Sequence, residues 1–158
     1  MALQQELRKN IERTTRQFLG AYKEAGEQNN PAVINRDVTD SCKRYFKPAG
    51  VLQLFGSPPE DGLSNADYEA AMALDLKKYI VTYTDILDLT IDTEARKSGA
   101  TTFTGMRYKT GEEDVMEHSW ILDFNEDGSK VTKVMEICDM DGLRRMVGKV
   151  YNDAEGGE

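Results

Sequence analysis

The sequence predicts an α+β fold in which a strongly curved, cone-like antiparallel sheet packs on three N-terminal helices. Three observations lead there. Apolar residues recur at helical spacing up to about residue 79, and at two-residue spacing from about residue 80 to 138. Helices and strands are segregated along the chain rather than alternating, which argues against a parallel α/β sheet. The strand region is punctuated by short turns, Thr110-Gly111 and Asn125-Glu126-Asp127-Gly128, that suit hairpins.

Each element follows in order. Leu7, Ile11, Thr15, Phe18, Leu19 and Tyr22 share one face of a first helix, opposite Arg8, Lys9, Glu12, Arg13 and Arg16. Gly26 and Asn29-Asn30 end it, and Pro31 suits the first turn of a second helix. That second helix would bury Ile34, Val38, Cys42 and Tyr45 and stop at Pro48-Ala49-Gly50. A short apolar run, Val51 to Phe55, leads into a breaker-rich loop, Gly56 to Leu63. Ser64 or Asn65 caps a third helix that presents Tyr68, Met72, Leu76 and Tyr79, with Asp67 in its first turn. Strands follow at about 85–92, with Leu87, Leu89 and Ile91 on one face, and at 101–109, 115–124 and 130–138. Asp139 or Asp141 caps a last helix carrying Leu143, Met146 and Val147. The 158 residues fit one domain over 1–151, with an acidic tail at 152–158.

The charge balance excludes whole classes of function. A net charge of −8 opposes binding to a nucleic-acid backbone or an anionic membrane. No apolar run approaches the ~20 residues of a membrane span, and the first residues lack the apolar core of a signal peptide. A cytoplasmic protein is expected, with Cys42 and Cys138 reduced. One histidine and two separated cysteines argue against a zinc site.

Acid/base chemistry remains. His118 shares the core-directed strand face with Met116, Trp120, Leu122 and Phe124. It is either a general acid or base or a core histidine with one polar partner. Glu136 shares a face with Val134 and Cys138, where burial would raise its pKa; if Met135 and Ile137 are the buried set, it is a surface glutamate. Asp88 and Glu117 lie on polar strand faces that meet solvent or a dimer partner, and Glu60 and Asp61 in a loop that either covers a pocket or is a solvated turn. Arg107 could pair with a carboxylate of protein or substrate. Tyr45, Tyr68 and Tyr79 are packing residues, or phenols that hold a carbonyl oxygen.

The layout resembles the nuclear transport factor 2 superfamily and, within it, the SnoaL-like cyclases. It is most similar to small fungal isomerases and cyclases of meroterpenoid biosynthesis, of the terretonin and austinol type. The residues that carry the likeness are Ile91 to Lys97, Met116 to Leu122, Val134 to Asp139 and Ser64 to Tyr68, within about residues 5–150. Glu136 matches a glutamate of the family's last strand, and His118 stands where an aromatic residue is expected. The resemblance implies a homodimer without metal or organic cofactor, and a hydrophobic pocket for a polyketide or terpenoid intermediate. His118 or Glu136 would be the base, with Glu60, Asp88 or a tyrosine as second acid. Trp120, Tyr68, Met116, Phe124, Arg107 and Met72 would bind the substrate. Two rivals share this frame: a dehydratase, and a non-catalytic binding or dimerisation module with a filled cone.

Overall fold

The computed structural model describes residues 1–54 and 61–152. The first helix, α1 (Ala2–Gln28), buries Ile11, Thr14, Thr15, Phe18, Leu19, Ala21 and Ala25, one amphipathic stripe. Asn29 ends it in the left-handed conformation (φ 48°), returning its N–H to Ala25 and Gly26 carbonyls. Gly26 lies inside the helix rather than ending it, and Ile80 packs against it.

The second helix is replaced by a strand. Only Pro31–Asn35 forms a short 3-10 helix, capped by the Asn30 side chain, and β1 (Val38–Lys47) follows. Ile34, Val38 and Cys42 are spaced by four, which satisfies both a helical and a two-residue period. The β-favouring Thr39, Tyr45 and Phe46 decide it. The inward face of β1 carries Val38, Cys42 and Arg44, and the charge on Arg44 hid the strand pattern from sequence.

The chain continues through α2 (Gly50–Leu54), β2 (Leu63–Ser64) and α3 (Asn65–Asp75), whose N-terminus is capped by the Ser64 hydroxyl accepting from Asp67 N–H. Then come β3 (Tyr79–Asp92), β4 (Lys97–Tyr108), β5 (Glu113–Phe124), β6 (Val131–Cys138) and α4 (Met140–Asn152). Tyr79 opens β3 instead of closing the third helix. The six strands form one sheet in the order β2-β1-β6-β5-β4-β3. It is antiparallel except for β1 and β6, which run parallel.

One strand face needs correction. Asp88 adopts φ 53°, and the pairing of β3 with β4 shifts between Leu87 and Thr90. This bulge reverses the facing of the strand. Ile86, Leu89 and Ile91 therefore pack on the core, and Leu87 is 43% exposed on the outside.

Two apolar clusters bracket the interior. Beneath α1, Ile11, Phe18 and Leu19 meet Trp120, Leu122, Phe124, Val131 and Val134. At the other end, Leu143, Met146 and Val150 of α4 close over Val51, Tyr79, Met106, Tyr108 and Met116. Between them the sheet curvature leaves a hollow. No helix among the described residues is long and apolar enough to cross a membrane.

Candidate active site

Strand register assembles the site. On β5, the inward residues Met116, His118, Trp120, Leu122 and Phe124 are buried, as alternation predicts. On β6, Val134, Glu136 and Cys138 share the inward face, as expected for Glu136. His118 lies opposite Cys138, and Trp120 opposite Glu136. Glu136 is thus the diagonal neighbour of His118, close enough for contact. His118 Nε2 lies 3.3 Å from Glu136 Oε1, with the two side chains 10% and 12% exposed. Trp120 Nε1 donates to Thr102 Oγ1 at 2.8 Å, which fixes the indole beside the imidazole. Burial pushes the Glu136 carboxyl above its ordinary range, and the charges of His118 and Arg44 offset part of this.

The pair lies in the wall of a cavity of about 430 Å³, within the usual range for small-molecule sites. The wall is mainly apolar. Met72, Met106, Met116, Leu143 and Met146 contribute to it, beside polar residues that include Asp67, Asp75, Thr84 and Thr104. Of the expected binding residues, Trp120, Tyr68, Met116 and Met72 line it. Three expected residues are placed elsewhere. Phe124 is buried in the cluster beneath α1, because β5 runs past the cavity at that point. Arg107 is exposed on β4 opposite Glu113, facing away from the core. Asp88 is exposed at the β3 bulge and is not among the cavity-lining residues. Glu60 lies outside the described residues.

Sequence reasoning missed four residues. Asp75 lines the cavity and accepts a hydrogen bond from the Tyr79 hydroxyl at 3.1 Å. Burial raises its pKa to about 6, against the opposing effect of that hydrogen bond. Its place on the apolar stripe of α3, three residues after Met72 and seven after Tyr68, was the signal. Tyr22 lines the cavity from α1. Arg44 stands behind it, 1% exposed; it becomes visible only once β1 is read as a strand. Cys138 is a half-buried free thiol in the wall, its pKa pushed up by burial and by Glu136 and Asp139.

The Asp75 shift has a measurable consequence. Its folded-state pKa of about 6 exceeds the ordinary 3.8, so between those values the native state holds more protons than the unfolded chain. Stability then falls as pH rises through that window. Asp75→Asn is expected to remove this slope and to stabilise the protein above pH ~6 by roughly 1–2 kcal/mol, allowing for solvent screening. Thermal unfolding of both proteins from pH 4 to 8 checks it.

His118, Glu136 and Cys138 place three donor atoms within 4.8 Å of one another, a cluster that residue counts did not anticipate. The Arg44 cation acts on the same carboxylate, which opposes a second positive charge there. The set fits a proton-sharing pair better than a metal centre.

No protein-family model matches the chain, and no curated protein matches it. Solved structures do. BvnE pinacolase from Penicillium brevicompactum is 18% identical, with 90% of this chain and 92% of that one covered at a TM-score of 0.73. PrhC from Penicillium brasilianum is 15% identical, over 96% and 94% of the two chains at 0.75. AusH from Aspergillus nidulans is 19% identical, over 84% and 85% at 0.67. In element order and curved sheet, then, this chain has the α+β cone fold of nuclear transport factor 2-like, SnoaL-like proteins.

Proposed function

We propose that the chain is a cofactor-free isomerase or cyclase acting by general acid/base catalysis. Its proposed substrate is a polycyclic polyketide-terpenoid or polyketide intermediate of fungal secondary metabolism. The observation that carries this reading is the His118–Glu136 contact of 3.3 Å in the wall of an apolar cavity of about 430 Å³. Glu136, backed by His118, accepts a proton from carbon beside a carbonyl and returns it to a carbon conjugated with that carbonyl. A carboxyl with a raised pKa suits both halves of that exchange. The apolar wall excludes water, which strengthens the few polar contacts inside. The likeness to the fungal structures described above, a pinacolase among them, supports an isomerase or cyclase, and a hollow cone supports an enzyme over a filled binding module. The raised carboxyl pKa also suits protonation of a leaving hydroxyl, so dehydration on the same pair is the second reading.

The test is proton exchange beside the carbonyl of fused-ring ketones in D₂O, followed by NMR. Wild-type protein should catalyse it; exchange that persists unchanged in both Glu136→Gln and His118→Ala would sink the reading.

We also propose a homodimer formed through the outer sheet face. Leu87, Thr101, Ser119 and Ile137 form one row across β3, β4, β5 and β6. Ile121 lies beside that row on β5 at 43% exposed, with Leu87 at 43% and Ile137 at 38%. Apolar side chains so grouped favour a covered face. Ile121→Asp is expected to convert a dimer into a monomer by sedimentation equilibrium. A wild-type monomer at micromolar concentration would refute it.

A further inference from the structure

Arg44 is a buried cation without an ion-pair partner among the described residues. The residue is 1% exposed, and among the described residues no carboxylate lies within ion-pair distance of its guanidinium. Its Nη2 donates to the Ile34 carbonyl at 2.9 Å and to Asn35 Oδ1 at 3.2 Å. It lies over the Tyr68 ring at 4.1 Å and the Phe18 ring at 5.2 Å. These neutral partners hold the cation in place without cancelling its charge. A neutral side chain could tie the same segments together without the cost of burying an ion. The third hydrogen bond indicates where the charge is directed: Nη1 donates to the Tyr22 hydroxyl at 3.1 Å.

Hydrogen-bond accounting at Tyr22 then leaves one group over. The Tyr22 oxygen accepts from Arg44 and also from the Tyr68 hydroxyl at 3.3 Å. Both of its acceptor positions are used, so its own proton is available to donate. Tyr22 lines the cavity, and Arg44 does not. The Tyr22 and His118 rings both lie 5.9 Å from the Trp120 ring, so a ligand seated at the indole meets both.

We infer that Tyr22 is a catalytic residue that holds the substrate's carbonyl oxygen as negative charge develops on it, and that Arg44 is the positioning residue that polarises this phenol from behind the wall. The inference rests on the acid/base reading of His118 and Glu136, and it restricts the substrate to enolisable carbonyl compounds. The carbon beside the carbonyl loses a proton to the His118–Glu136 pair. The C–H electrons form a C=C bond, and the C=O π pair moves onto oxygen, where the Tyr22 O–H meets it. Collapse of the oxyanion restores the carbonyl and sends the C=C pair to a proton at the original carbon or, where a second C=C is conjugated with the enolate, at the far end of that system, so atoms and electrons balance without an oxidant. The Tyr22 phenol fits this role: burial raises it to about 12 and Arg44 opposes the rise, whereas Tyr68 and Tyr79 are pushed well above their ordinary values. A donor closer in pKa to an enol makes the stronger hydrogen bond to an enolate.

The test uses 4-nitrophenol, whose ionised form alone absorbs strongly at long wavelength. Binding is followed by quenching of Trp120, and ionisation of the bound dye by absorbance against pH. Wild-type protein should favour the phenolate by ~10-fold or more, a pKa lowered by about one unit. Tyr22→Phe should abolish that preference while quenching persists. Arg44→Met should reduce it, and Arg44→Lys should restore part of it, which a purely structural role for Arg44 does not predict. If Tyr22→Phe ionises the dye as wild type does, the inference is overturned, whether or not the Arg44 variants fold. The acid/base reading is judged separately, by ketone exchange in Glu136→Gln. Trp120 fluorescence unchanged by the dye in wild-type protein would overturn the cavity as a binding site, and both readings with it.

Discussion

Glu136→Gln is expected to lower the turnover of proton exchange by about 10²–10⁴-fold with little change in substrate affinity, the usual effect of removing a positioned acid or base. Glutamine keeps the shape of the side chain and can accept from His118, but it cannot carry a proton. The same substitution should leave the fold intact and raise its thermal stability at neutral pH. The Glu136 carboxyl is pushed up by burial. Its native state therefore binds more protons than the unfolded chain between the ordinary and the raised value, and stability is lost as pH rises through that window. Loss of activity with a gain in melting temperature is the signature of a group held at structural cost for function. The double variant with His118→Ala should be no slower than the worse single variant, because the two act as one unit. Rates and melting curves of the four proteins check each part.

Gly128→Ala should destabilise the protein by about 2–4 kcal/mol. Gly128 closes the β5–β6 turn at φ 75°, a conformation that costs other residues roughly 1–2 kcal/mol. A Cβ there would stand 2.9 Å from Ile11 Cγ1 and 3.2 Å from the Ile11 backbone nitrogen. Ile11 is fully buried and cannot yield cheaply. The Gly128 carbonyl also accepts from the Thr14 hydroxyl at 2.7 Å, and Asn10 Nδ2 donates to the Asp127 carbonyl at 2.8 Å. Helix α1 is seated on this turn, so displacement spreads to the cluster beneath it. Gly111 gives the control: φ is 92°, with nothing within 4 Å of a Cβ. Gly111→Ala should show backbone strain alone. The difference in urea midpoints, at equal slopes, isolates the packing cost.

The legible parts of the sequence were those with an unambiguous period. Alternation on β5 placed His118 beside Trp120 on the inner face, and that strand with β6 delivered the His118–Glu136 pair. Where period or charge misled, the reading failed. The four-residue spacing of Ile34, Val38 and Cys42 read as helix, and a buried arginine disguised the strand containing it. The bulge at Asp88 reversed a face that perfect alternation had fixed, because a single residue in the left-handed region leaves no periodic trace. Tyr22, Arg44 and Asp75 belong to three different elements. Their convergence is a tertiary fact, invisible until the sheet order is known.

That sheet order also governs when a working protein first exists during synthesis. Strand β6, last of the six to be made, inserts between β1 and β5. Until it does, the sheet is two unjoined pieces, and the arginine on β1 and the histidine on β5 belong to different ones. Glu136 arrives on the joining strand itself. A nascent chain stopped before Val131 therefore has a helix and hairpins but no enclosed chamber, and two open strand edges exposed to neighbouring chains. Joining β1 to β6 closes a loop of about ninety residues, the kind of distant contact that slows folding. The chamber should form in one late step, so hydrogen-exchange protection of β1 and β6 should appear together and after that of the β3–β4 hairpin.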